Sequence, residues 1–175
     1  ARAFIGSFTM PSPAPYVVTK LFDQVVGQPG GPCGATLHDV RDMLDPIVAS
    51  LGYAGEPQAN IRAIIATRLD LLLSPLRAAR LCWPDSTMIS RLMSGPAVVT
   101  LADLGDDEER SFLVLVLTMA VRAMARLRGA VGGVRHLLVL EEAHRVIPDI
   151  PPSADPEATS AGKVSADLLS GMLAE

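Results

Sequence analysis

Two adjacent carboxylates close an apolar run in this chain: Leu137, Leu138, Val139 and Leu140 lead straight into Glu141 and Glu142, followed by Ala143, His144 and Pro148. An apolar strand that ends in two acids places charge where burial would be costly, unless a metal ion or a water network meets it. Neighbouring acids of this kind can divide the work of phosphoryl transfer. One holds Mg²⁺ through water, and the next orients the attacking water. The alternative is a strand ending in solvated acids, which any α/β protein can have.

Other reactive residue types carry less. Cys33 and Cys82 are far apart, without CxxC spacing or a histidine cluster, so neither a disulfide framework nor a zinc site is expected. Cys33 has no neighbouring His or Lys to lower its pKa and reads as a loop cysteine. Asp103 and Asp106 follow an expected strand end, but helix capping accounts for at least one of them. Arg122, Arg126 and Arg128 fit charge compensation at the end of a helix better than contact with DNA. His38 reads as a surface residue, and Met88, Met93, Met119 and Met124 as core filler. No GxxxxGK[ST] loop occurs. Its nearest approach, Gly162-Lys163-Val164-Ser165, has Glu157 in place of the first glycine and Val164 in place of the hydroxyl, so it cannot cradle a triphosphate.

The segment LLVLEEAHRVIP, preceded by GPAVVTLADLGDDEERSFLVLVLTMAVRAM, resembles the HerA-like branch of the HerA and FtsK superfamily of hexameric DNA-pumping ATPases. In that family a strand, an acid-rich helix start, a long apolar helix and a strand ending in EEAH or DEAH follow in order, and residues 95 to 148 keep this order. The opening FIGSFTMPSPAPYVV and the helical middle look like the insertion such proteins carry between their Walker A and Walker B motifs. The resemblance implies that Glu141 holds Mg²⁺ through water, that Glu142 is the catalytic base, and that His144 couples nucleotide state to a neighbouring strand or subunit. It implies ATP and Mg²⁺ as cofactors of the intact protein, a homo-oligomeric ring, and double-stranded DNA with a nuclease as partners. The missing phosphate loop implies an internal fragment that is inactive alone. The alternatives are a non-hydrolysing scaffold and a fragment of a DEAH-type helicase, although the first acid here is Glu instead of Asp.

The elements expected to position these residues form an α/β fold, a partial RecA-like core with a mostly helical insertion. Residues 1–94 would supply a strand, a short helix and the insertion, and residues 95–175 the part of the core that bears the two acids. AVVTL, residues 97–101, has the compact β-branched character of a buried parallel strand, and residues 135–140 form the next. Between them FLVLVLTMAVRAMARLR follows a cluster of acids and ends in arginines, which complements a helix macrodipole. Its middle is apolar nearly all round, which predicts burial on more than one side. Strand, helix and strand would make one crossover unit.

Upstream, Leu37, Val40, Leu44, Ile47, Val48 and Leu51 recur at helical spacing behind a Thr36/Asp39 cap, with Pro46 expected to kink or split the helix. A second helix begins near Pro57 with the stripe Ile61, Ile64, Ile65, Leu69 and Leu72, and Ser74-Pro75 ends it. A short helix is predicted over Thr87–Met93, a proline-rich loop over Pro148–Glu157 and a last helix from Ser165.

Half of the 175 residues are apolar (49%), enough to bury a core in one domain. The net charge of −4 argues against a freestanding nucleic-acid binder. The longest apolar run, Phe112 to Val121, is about half of the ~20 residues a bilayer needs. No leader of charged then apolar residues opens the chain, and a cytoplasmic location is expected. A first residue that is not Met, and an end at Glu175 within an expected helix, suggest that both ends are cut.

Overall fold

The computed structural model describes residues 1–29, 34–81, 87–92, 94–128, 137–143, 166–167 and 170–171. Their architecture is helical. In chain order the helices are α1 (Arg2–Ser7), α2 (Ala14–Val26), α3 (Leu37–Asp42), α4 (Leu44–Ser50), α5 (Gly55–Leu72), α6 (Pro75–Leu81), α7 (Thr87–Leu92) and α8 (Asp107–Arg128).

Local chemistry explains most of these boundaries. At α3 the Thr36 backbone N–H donates to the Asp39 carboxylate at 2.7 Å, closing the expected capping box. The predicted disruption near Pro46 falls at Met43, between α3 and α4. Pro46 then sits in the first turn of α4, where a helix has no use for its missing N–H. In α5 the predicted stripe is inward: Ile61, Ile65, Leu69 and Leu72 are buried, and Ile64 packs partly against the same core.

The core gathers around Phe4. Its ring lies 4.9 Å from Phe8, 5.9 Å from Phe22 and 6.3 Å from Phe112, the last edge-on at 84°. Aromatic pairs favour such offset or edge-on approaches. Around them pack Val17, Val18 and Leu21 of α2, Leu44 and Val48 of α4, the α5 stripe, and Leu115 of α8, all in one cluster. Residues on both sides of position 95 therefore share a core.

The expected α/β class is overturned, because no described residue lies in a strand and no sheet is present among the described residues. Residues 97–101 run without regular structure, with Val98 93% and Val99 45% exposed. Residues 137–140 do the same, with Leu137 81% and Val139 71% exposed, and residues 135–136 lie outside the described residues. A β-branched run becomes a strand only when neighbours take up its backbone N–H and C=O groups, and no described strand does so. Only Leu101 and Leu140 reach the helical core. The opening strand expected in the first fifth is likewise helix, since α1 and α2 occupy it. Helix α8 forms as predicted, but Val116 and Met119 are 36% and 37% exposed, so one side stays open where all-round burial was expected. The loop over Pro148–Glu157 lies outside the described residues, as do Met93 and Ser165.

Candidate functional site

The acid pair sits in a turn. After the exposed segment Leu137–Val139 and the partly buried Leu140, the backbone turns at Glu141 and Glu142, and both residues are exposed. Glu142 has φ 54°, the left-handed region that a side chain bearing a Cβ enters at a cost. Sparsely populated backbone angles of this kind cost on the order of 1–3 kcal/mol in a residue other than glycine.

No group of three or more His, Cys, Asp or Glu able to hold a metal ion occurs among the described residues. The Glu141 carboxylate could contribute to a Mg²⁺ site only as one ligand among several, since Mg²⁺ takes one or two carboxylates with water and phosphate oxygens completing its octahedron. His144, expected to couple nucleotide state, lies outside the described residues, together with Pro148, Cys33, Cys82 and the Gly162–Ser165 segment.

The other flagged residues resolve into structure. Asp106 caps α8, accepting the Glu109 backbone N–H at 2.7 Å. It also takes Nη2 of Arg77 at 2.8 Å. Glu109 is 1% exposed, and its Oε2 receives Nε of Arg77 at 3.1 Å and the Gly105 N–H at 3.1 Å. Its Oε1 is buried without a hydrogen-bond partner. Arg110 completes the junction by donating to the Leu104 carbonyl at 2.8 Å and to Asp107 at 2.9 Å. These acids therefore hold the start of α8 to α6. Nothing in the residue pattern pointed to Arg77, although Asp106 and Glu109 stand three apart at a helix start, the spacing of a capping box. His38 is exposed, as expected of a surface residue.

On the helical side, Arg41 pairs with Asp70 and Arg62 with Asp45, two bridges that tie α3 and α4 to α5. The Arg62 guanidinium, as hydrogen-bond donor and then as neighbouring charge, holds the Asp45 carboxyl below its ordinary value. The Thr36 backbone and hydroxyl donors do the same for Asp39. No helix among the described residues is long and apolar enough to cross a membrane.

Comparison with known proteins adds no relative: no family model, no curated protein and no solved structure matches this chain.

Proposed function

We propose that this chain supplies the acid pair of an ATP-hydrolysing motor, with Glu141 holding Mg²⁺ through water and Glu142 orienting the attacking water. The observation that carries the reading is the pair itself: two exposed acids in a turn directly after an apolar segment, the second held at a positive φ. The order of residues 95 to 148 supports it, and so does the long helix α8 between the two apolar segments. The reading rests on the residues and not on the sheet they suggested. His144 would follow nucleotide state, and the ring, the duplex DNA and the nuclease partner belong to the same proposal.

Hydrolysis on this reading is in-line attack of water on the γ-phosphate, stabilised mainly by positioned charge. The carboxylate of Glu142 would accept a hydrogen bond from the attacking water, and then its proton, as the bond from water to the γ-phosphorus forms and the bond to the departing ADP oxygen breaks. Glu141 would help hold the hydrated Mg²⁺, which would offset charge on the phosphate oxygens. A phosphate-binding loop must come from outside these 175 residues, because none occurs within them.

A second reading, a non-hydrolysing helical scaffold, is favoured by one observation: the described residues pack as helices around one shared core. Titrating Mg²⁺ against ATP turnover in the protein at its natural length separates the two. The ATPase reading expects Glu141→Gln to raise the Mg²⁺ concentration needed for half-maximal turnover. Absence of turnover in the wild type favours the scaffold.

A further inference from the structure

Residues 137–140 are apolar, open to solvent and unpaired. Leu137 and Val139 are 81% and 71% exposed, whereas Leu138 is 43% exposed and Leu140 packs partly against the core. Exposure that alternates with a period of two is the pattern of an extended segment with one face on a core. Among the described residues, no hydrogen bond engages the backbone of this segment. Water serves those N–H and C=O groups in the single chain, and such a row is a template for pairing with another segment.

The charges at the two ends select the occupant. Arg135, Leu137, Val139 and Glu141 stand at alternate positions of the sequence, base first and acid last. Alternate positions share one face of an extended chain. Arg135 lies outside the described residues and enters by its charge alone. A second copy laid antiparallel, with Leu138 opposite Leu138, brings Leu137 beside Val139 and Arg135 beside Glu141, twice over by symmetry. Opposite charges that face each other across a strand pair are favourable, and like charges are not. A parallel copy in register would instead stack Glu141 on Glu141. The four residues between the ends carry no charge, so the net −4 of the chain is not concentrated at this contact. Residues 97–101 have a similar composition, but they follow Gly95 and Pro96 with no basic residue at that end, so they offer a second copy no such match.

We propose that two copies of this chain pair antiparallel along residues 137–140, with Arg135 of each beside Glu141 of the other. The contact is isologous, since one segment serves both sides. Four residues bury far less than the roughly 1,200–2,000 Å² of a standard interface, so the pair is transient and forms as concentration rises. Leu137 and Val139 are covered in the pair and open in the dilute chain. The contact does not depend on the ATPase reading, because Glu141 enters it through charge alone.

Sedimentation equilibrium from roughly 10 μM to 1 mM covers the affinities of such small contacts. The average mass should rise from that of one chain toward that of two. Successive N–H groups of an extended segment point to opposite edges, so one of Leu138→Pro and Val139→Pro must remove a donor from the pairing edge and abolish the rise. Both positions are exposed, and circular dichroism at low concentration checks that the helices persist. Glu141→Lys and Arg135→Glu, each alone, should weaken self-association about fivefold, because two facing pairs become like-charged. An equimolar mixture of these two variants should associate as tightly as the wild type, since each supplies the charge the other lacks. The proposal is overturned by the mass of one chain at every concentration, by association that both prolines leave unchanged, or by a mixture no tighter than either charge variant alone.

Discussion

Arg77 and Glu109 lie 3.1 Å apart, Nε to Oε2, with the carboxylate 1% exposed and the guanidinium 20%. This pair joins α6 to the first turn of α8, and Asp106 shares the same cation. Arg77→Met is expected to destabilise the fold by up to about 3–5 kcal/mol, because it strands a buried carboxylate. Adding Glu109→Gln should recover part of the loss by removing the stranded charge. Urea unfolding followed by circular dichroism reads both, and a loss under about 1 kcal/mol for the single variant would contradict the burial of this pair.

Phe4 touches three other phenylalanines and brings α1 against α8 through Phe112. Phe4→Ala should cost about 3–5 kcal/mol, the range for emptying an aromatic site in a core. Phe4→Leu retains much of the volume and should cost less. Equal melting of Phe4→Ala and wild type would contradict the shared core.

Two carboxyls make stability depend on acid. Asp39 and Asp45 both lie below the ordinary value of 3.8, held there by Thr36 and by Arg62. Their folded pKa is depressed, so the stability they contribute is fully present above 3.8 and is lost as pH falls through their folded values. The double variant Asp39→Asn, Asp45→Asn should flatten the acid side of a stability profile measured by denaturant unfolding. A profile as steep as that of the wild type would show that these carboxyls do not carry the dependence.

Exposure distinguishes the apolar segments from the core. Val98→Ser and Leu137→Ser should change stability by no more than about 0.5 kcal/mol, as expected at exposed positions. Leu115→Ala, at a site with no exposed surface, should cost about 2–5 kcal/mol. Serine variants as damaging as Leu115→Ala would mean that these segments are packed.

The helices were legible because their signals are local. The Thr36/Asp39 cap, the Ile61 to Leu72 stripe and the acids ahead of Phe112 all act within a few residues, and each reappears in the structure. The sheet was misread because a strand is a pairing between distant segments. Residues 97–101 have the composition of a strand whether or not a neighbour is present. Helix α1 was hidden behind Pro11, Pro13 and Pro15, although Phe4 and Phe8 stand four apart in the sequence. Arg77 was invisible for a related reason: its partners Asp106 and Glu109 lie some thirty residues away. At the acid turn the residue types of Glu141 and Glu142 are plain in the sequence, whereas the positive φ of Glu142 depends on the backbone path around it.

The proposed function gives Glu142 the task of acting on the attacking water. It is tested most directly by single-turnover ATP hydrolysis of the protein at its natural length, wild type beside Glu142→Gln, with nucleotide binding measured on the same samples. Removing the base should slow hydrolysis by roughly 10²–10⁴-fold while binding is retained. An unchanged rate in Glu142→Gln would contradict the assignment.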